Sequence, residues 1–278
     1  VRKPPRIIAP RRILHPRSGK RFFRHLTESR YTTIAAVSFL VAACTSGFAV
    51  AQETASVEEA ASPFSGSFTL ATDYVFRGIS QTQGDPAVQG NIEYNRAFGE
   101  SGLSAYAGAF GSNVDFAGTD ARIELDWYGG LRGSTSGIKW DAGVVYYSYP
   151  GAEDSLDLDY GEAVLRVEYD FTLAKALAAV AYSPDFQTGA GSGFYINGGA
   201  DVALPFEFLL SARIGRQWVD DNQRWALPDY TDWSLALARD LYGLTVSVGY
   251  YDTNIGKPNC GGSDNCDARV MVGVTKKL

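Results

Sequence analysis

Residues 161–171 read GEAVLRVEYDF, and apolar and polar side chains alternate along most of the stretch. Leu165 and Val167 fall on one side of this alternation, whereas Glu162 and Arg166 fall on the other. Successive side chains of a β-strand point to opposite faces, so a period of two predicts a strand. One face of this strand is apolar and the other carries charges of both signs, which is typical of the wall of a membrane barrel.

The same period recurs from residue 64 to residue 278 in segments of about ten residues. After residue 51 no apolar run reaches the ~18 residues that a membrane-spanning helix needs. The pattern therefore predicts an all-β fold, a 12-stranded antiparallel up-and-down transmembrane β-barrel formed by residues 64–278. We place its strands at residues 65–78, 87–98, 103–112, 121–133, 138–149, 160–172, 177–186, 193–204, 209–219, 230–241, 244–254 and 268–277.

The connections between these strands alternate in length. Those after even-numbered strands are short, such as Tyr242-Gly243, and those after odd-numbered strands are longer and polar, such as Ile255–Asp267. Outer-membrane barrels combine short periplasmic turns with long external loops, and an even number of strands puts both barrel ends on the periplasmic side. A soluble β-sandwich is the alternative for such alternation, but charges paired along whole strands favour the membrane barrel.

The N-terminal part differs sharply in charge from the rest. Residues 1–51 hold ten of the 25 Lys and Arg residues and a single acid, Glu28, whereas the remainder has 15 basic and 30 acidic residues. An apolar stretch at residues 34–43 and the small residues Ala49-Val50-Ala51 follow the basic part, as in a cleaved export signal. We predict cleavage after Ala51, with residues 52–63 as a flexible linker.

Two alternatives concern the export signal. Arg11-Arg12 would suit twin-arginine export, although the pair lies far from the apolar stretch, and residues 41–44 resemble a lipoprotein box that would lipidate Cys44. The other two cysteines, Cys260 and Cys266, lie in a polar segment. In an exported protein they predict a disulfide that closes a small loop, and two cysteines without a neighbouring histidine predict no metal site.

The distribution of histidine excludes several enzymatic functions. Both histidines, His15 and His25, lie in the leader, so the predicted mature chain has neither a Ser-His pair nor a His-metal site. Carboxylates two residues apart, as in Glu124 and Asp126, share one strand face about 7 Å apart, a separation used in glycoside hydrolysis. We interpret them instead as lumen charges, and we predict no enzymatic activity, no cofactor and no nucleic-acid partner.

Residues 68–82 carry a resemblance to a known family. They read FTLATDYVFRGISQT, and the core from Asp73 to Ser80 is the specific part. This stretch resembles the opening signature of the TorF family of porin-like proteobacterial outer-membrane proteins. The likeness extends more loosely over residues 64–278. It implies an outer-membrane barrel that acts as a channel, and it transfers no functional residue.

The side chains predicted to face the lumen define the candidate site. Acids outnumber bases among them, so an open pore would prefer cations. Asp73 and Arg77 share one face of the first predicted strand, as a selectivity element or as a structural pair. The predicted bases are Arg77, Arg122, Lys139, Arg166, Arg213 and Arg269, and the predicted acids are Asp73, Glu93, Glu124, Asp126, Asp141, Glu162, Glu168, Asp170, Asp201 and Asp240.

Two functions fit this pattern. The first is a channel for passive diffusion of small polar solutes or ions, and the second is a non-conducting structural or adhesive barrel plugged by side-chain pairs, since twelve strands allow either. Expected partners are outer-membrane lipid, lipopolysaccharide near the acidic loop 153–159, and the barrel-assembly machinery. The chain ends in Leu278 where such barrels usually end in an aromatic residue, which bears on the efficiency of assembly.

Overall fold

The protein folds as a closed barrel of twelve antiparallel strands, which confirms the predicted fold class. The structure is a computed structural model that describes residues 62–99 and 101–278. The predicted signal and cleavage sites, and most of the linker, lie outside the described residues. The barrel strands are β1 (Phe64–Ala71), β4 (Ala87–Ala97), β5 (Ser104–Asn113), β6 (Ile123–Thr135), β7 (Ile138–Ser148), β8 (Tyr160–Asp170), β9 (Ala174–Ser183), β10 (Gly193–Leu204), β11 (Phe208–Val219), β12 (Tyr230–Leu241), β13 (Leu244–Thr253) and β14 (Arg269–Lys277).

Each barrel strand pairs with the next one along the chain, and β1 closes the barrel by pairing with β14. The shortest connections, at residues 136–137 and 242–243, have left-handed backbone conformations at both positions. Such two-residue turns match the twist of paired strands, which explains the tight hairpins at this end. We call it the short-turn end, and we call the opposite end, where residues 72–86 and 254–268 connect strands, the long-loop end.

The two faces of the wall follow the predicted alternation. On β8, for example, Leu165 and Val167 point outward and are exposed, whereas Glu162 and Glu168 point inward and are buried. The exposed outer positions of the other strands are also largely apolar, including Trp127 on β6.

Within residues 62–99 and 101–278, helical structure is confined to the connections. One α-helical turn, α1 (Asn222–Trp225), and 3-10 turns such as Asp154–Leu156 interrupt the loops. In the part of the chain that the structure describes, every helix is too short and too polar to cross a membrane.

The first strand differs from its predicted course. It was expected to run to residue 78 but ends at Ala71, and the chain then turns into the barrel as a hairpin of β2 (Val75–Phe76) and β3 (Ile79–Ser80). Arg77 (φ 47°) and Gly78 (φ 81°) form the turn, and left-handed conformations at both positions suit a two-residue hairpin. We call residues 72–86 the lumen hairpin.

Candidate functional site

The lumen hairpin fills the long-loop half of the barrel interior. Asp73, Tyr74, Arg77, Ser80 and Thr82 are all buried, although they belong to a connection rather than to the wall. Loops normally lie on the surface because their polar groups need water, so a buried loop must find its hydrogen-bond partners within the protein. The side chains of the hairpin find them on strands all around the barrel.

Arg77 anchors the tip of the hairpin. Its Nη2 donates to both carboxylate oxygens of Glu162 on β8, at 2.9 and 2.7 Å, and its Nη1 donates to Oε1 of Gln217 on β11 at 2.6 Å. The guanidinium also lies over the ring of Tyr195 on β10, 4.2 Å from its centroid, which is a cation–π geometry. One side chain therefore connects the hairpin to three neighbouring regions of the wall.

Asp73 fixes the base of the hairpin. Its Oδ1 accepts hydrogen bonds from the hydroxyls of Ser80 and Thr82, at 2.7 and 2.8 Å. Its Oδ2 lies 2.6 Å from Nη1 of Arg269 on β14. The structure thus gives Asp73 and Arg77 separate partners, and the two residues do not share the face of a barrel strand as the sequence had suggested, because the chain leaves the wall after Ala71.

Tyr74 links the hairpin to strands β5 and β6. Its hydroxyl donates to Oε1 of Glu124 on β6 at 2.6 Å, and its ring contacts Phe110 on β5. Burial, strengthened by the neighbouring carboxylates Glu124 and Asp126, raises the pKa of the Tyr74 hydroxyl well above its usual value near 10. The hydroxyl therefore keeps its proton and remains a donor to Glu124.

The disulfide loop packs against the hairpin from the long-loop end. Cys260 and Cys266 form the predicted disulfide, with Cα atoms 6.1 Å apart. The backbone N–H of Ser80 donates to the carbonyl of Asn265 at 2.9 Å, and Ile79 packs against the apolar cluster that contains both cysteines. The disulfide therefore stabilises the loop that holds β3 in place.

Aromatic side chains from the other loops close the same end. Phe186 contacts Tyr160 and Trp225, with ring centroids 4.9 and 5.3 Å apart, and Phe116 contacts Tyr149 at 5.3 Å. These residues come from four different loops or strand ends. The long-loop end is consequently closed twice, by the hairpin inside the lumen and by packed loops above it.

The other half of the lumen carries a network of ion pairs. Arg132 on β6 binds both carboxylate oxygens of Glu93, at 2.8 and 3.0 Å, and its Nε lies 3.4 Å from Asp141. Asp141 also lies 3.6 Å from Arg166 and accepts a 2.7 Å hydrogen bond from the Tyr106 hydroxyl. Acids and bases alternate from strand to strand, so each carboxylate has a basic neighbour.

Two further groups of charges lie toward the short-turn end. Glu168 lies between Lys139 and Lys175, with N–O distances of 3.5 and 3.8 Å. On another part of the wall, Nη2 of Arg213 donates to Asp201 at 2.5 Å, and its Nη1 donates to the carbonyl oxygens of residues 200 and 212.

Some predicted site residues lie elsewhere. Arg122 precedes β6, is exposed and pairs with Asp115 at 3.0 Å in the loops, so the prediction that it lines the lumen is wrong. Asp126 and Glu124 are buried beside the hairpin, and Asp170 is exposed at the end of β8. The structure therefore divides most of the predicted set into a group beside the lumen hairpin and a group in the short-turn half of the barrel, which we call the lower lumen.

Sequence reasoning missed three residues that organise the lumen. Arg132 joins two carboxylates, Tyr106 lies 3.8 Å from its guanidinium, and Gln217 receives Arg77. Arg132 lies on the inward-facing side of β6, so following the predicted alternation of that strand two positions beyond Gly130 would have identified it. A polar glutamine in an otherwise unremarkable strand gives no such signal.

Comparison with solved structures returns porins at very low sequence identity. A KdgM porin in complex with disordered oligogalacturonate is 9% identical over 76% of this chain and 98% of its own, with a TM-score of 0.48. A NanC porin is 10% identical over 77% and 100%, with a TM-score of 0.49. Salmonella typhi OmpF in complex with daunomycin is 9% identical over 77% and 97%, with a TM-score of 0.42.

Among curated proteins, none matches this chain. A family model does match, however, and it covers residues 57–278, which include the lumen hairpin and every strand of the barrel. The chain therefore belongs to the bacterial family of unknown function described as Gcw_chp.

Proposed function

We propose that this protein is a porin-like channel of the Gram-negative outer membrane, for passive diffusion of small polar solutes or ions, as the TorF resemblance also implies. The supporting observation is the closed barrel whose exposed outer face is apolar and whose inner face is charged. Lipid around such a barrel satisfies the outer face, and a polar interior suits water and solutes. In this proposal lipopolysaccharide surrounds the long-loop end, and the barrel-assembly machinery inserts the chain.

A route through the barrel requires the lumen hairpin to move. Arg77 contacts Gln217 on β11 and Tyr74 contacts Glu124 on β6, which are five strands apart in the barrel, so the hairpin obstructs the long-loop half of the interior. We propose that this conformation is a closed form of the channel. Movement of the hairpin and the loops above it would join the lower lumen to the outside.

One observation favours a second function, a non-conducting structural barrel. The Arg77–Glu162 pair is almost completely buried, and removal of either partner would leave a charge without water. A plug held in this way could be permanent. The barrel would then present its loops at the cell surface without transporting solute.

Conductance measurements separate the two functions. The purified full-length mature protein is added to a planar lipid bilayer, and a heat-dependent shift in SDS gel mobility verifies that it is folded. Discrete current steps, including rare ones at high voltage, support the channel. Folded protein that gives no steps at any voltage, even after Glu162→Gln weakens the anchor of the hairpin, supports the structural barrel.

The proposal does not include enzymatic activity. The described residues contain no histidine, so the Ser-His pair of the outer-membrane phospholipases has no counterpart in the barrel. The carboxylates spaced two apart lie beside tyrosine hydroxyls or basic side chains, as Glu124 does beside Tyr74 and Glu168 beside Lys139. Their contacts match structural or solute-facing charges.

A further inference from the structure

The ion pairs of the lower lumen are asymmetric in exposure. In the pair of Arg132 with Glu93, 12% of the arginine side chain is accessible but only 3% of the carboxylate. For Arg166 with Asp141 the two values are 18% and 2%. The acidic side chain is thus the more covered member of each pair, and the arginine side chain is the member that a solute can reach.

The other pairs of this half follow the same order. Lys139 and Lys175 are each 26% accessible, against 7% for the carboxylate of Glu168 that they share. Arg213 is 26% accessible and its partner Asp201 is 18% accessible. The basic side chains of the lower lumen are therefore more accessible than their acidic partners, because short acidic side chains stay near the wall while long basic ones extend over them.

Two inward-facing acids are exceptions, and both lie at the rim. Asp170 is exposed at the last position of β8 and accepts a 2.7 Å hydrogen bond from the N–H of Thr172. Asp240 is exposed near the end of β12 and accepts a hydrogen bond from the Thr245 hydroxyl. Both are already hydrogen-bonded at the strand ends, and deeper in the lumen the basic side chains remain more accessible than their acidic partners.

We infer that the lower lumen binds small oxyanions, such as carboxylates and phosphates, through Arg132, Arg166 and Arg213. This inference rests on the proposed function for its role in transport, but not for the binding itself. It also reverses the cation preference that a simple count of lumen charges predicts, because charges covered by their partners contribute less to the potential that a solute meets. Guanidinium groups suit this task, since their planar fork matches the oxygens of carboxylate and phosphate.

A binding experiment that needs no conductance tests the site. Inorganic phosphate, and acetate in parallel, are titrated calorimetrically into the detergent-solubilised full-length protein at low ionic strength. We expect Arg213→Gln to weaken binding of the tighter anion by about tenfold, as expected for loss of a hydrogen bond to a charged group. Asp201→Asn should strengthen it, because the arginine keeps its charge and loses its competing carboxylate.

Matched variants control for charge and folding. Arg122→Gln and Asp115→Asn make the same chemical changes in an exposed pair of the loops, and they should leave binding unchanged. If Arg213→Gln does not show the heat-dependent gel shift of a folded barrel, Arg166→Gln replaces it, with the same expected weakening. Absence of measurable binding of either anion, or binding that no lumen variant changes, overturns the inference.

Reversal potentials in a KCl gradient then separate this inference from the proposed function. A channel that prefers chloride, with Arg213→Gln shifted toward potassium, supports both. Anion binding by a protein that never conducts supports the site and refutes the channel. Conductance that prefers potassium, without anion binding, refutes the site and leaves the channel standing.

Discussion

Replacement of Arg77 by alanine should release the lumen hairpin. The Arg77 and Glu162 side chains are 2% and 1% accessible, and they are joined by contacts of 2.9 and 2.7 Å. Removing one partner of such a buried pair costs about 3–5 kcal/mol, because the other charge remains buried without compensation. Gln217 also loses its donor. We expect this cost to appear first as detachment of the hairpin rather than as unfolding of the barrel, since local opening requires less free energy than global unfolding.

The assay measures access to the hairpin directly. Ser80 is buried, and a Ser80→Cys variant reacts with a thiol reagent only when the hairpin opens. In the Arg77→Ala background, a loss of 3 kcal/mol or more corresponds to roughly a hundredfold faster labelling, at 1.4 kcal/mol for each factor of ten. Arg122→Ala removes an exposed ion pair of the loops and should change the rate by less than about fivefold.

A double variant tests the physical reason. Arg77→Met with Glu162→Leu replaces the pair by apolar side chains, and such replacements of buried pairs are often neutral or stabilising. Labelling of this double variant should be much slower than labelling of Arg77→Ala. Equal labelling rates in Arg77→Ala and in the Arg122→Ala control would refute the claim that the pair holds the hairpin.

Three further predictions concern the lumen hairpin and the disulfide loop that packs against it. Gly78→Ala should lower the free energy of unfolding, measured in urea, by more than about 2 kcal/mol, because φ of Gly78 is +81° and the added Cβ would lie 2.6 Å from a methyl group. Gly84→Ala is the control: φ of Gly84 is +82° but the space around it is open, so the loss should be only about 1 kcal/mol. Replacing Cys260 and Cys266 by serine should lower the free energy of unfolding by about 2 kcal/mol relative to the oxidised wild-type protein, and reduction of the wild-type protein should cause the same loss. The hydrogen bond and charge of Lys257 lower the pKa of Asp264. The contribution of ionised Asp264 to stability should therefore be complete above pH ~4 and disappear as the pH falls through the lowered pKa. An NMR titration midpoint for Asp264 at or above ~3.9 would contradict this.

The strands could be predicted because successive residues of a barrel strand face the outside and the lumen in turn, and these two environments favour different residue types. Leu165 and Glu168 differ in polarity because one faces outward and the other inward, and this difference is present in the sequence. The limits of strands are less visible. The seventh predicted strand, 177–186, is β9 at Ala174–Ser183, because Ala174 and Ala176 are small residues that carry little facing signal.

The lumen hairpin could not be predicted in the same way. A hairpin inside a barrel alternates its side chains just as a wall strand does, so Asp73 and Arg77 continue the period of β1 after the chain has left the wall. Only the turn at Arg77-Gly78 distinguishes the two. The partners of Arg77 are 85 and 140 residues away in sequence, and no local pattern indicates them.

The sign of the accessible lumen charge was hidden for a related reason. A count of charges treats Asp141 and Arg166 as equal and opposite, although the Asp141 side chain is 2% accessible and the Arg166 side chain is 18% accessible. This difference depends on the length of each side chain and on its neighbours across the barrel. A prediction from charge counts alone therefore favours cations, whereas the arrangement of the charges favours anions.

The lumen hairpin is attached at both ends to strands that neighbour one another, β1 and β4. One connecting arm, residues 72–74, is only three residues long, and at ~3.5 Å per residue it spans about 10 Å when fully extended. A displaced hairpin therefore stays beside its own binding surface at an effective concentration in the millimolar range. A free peptide of the same sequence, added at micromolar concentration, should fail to compete with it, because a displaced hairpin needs no external partner to close the barrel again.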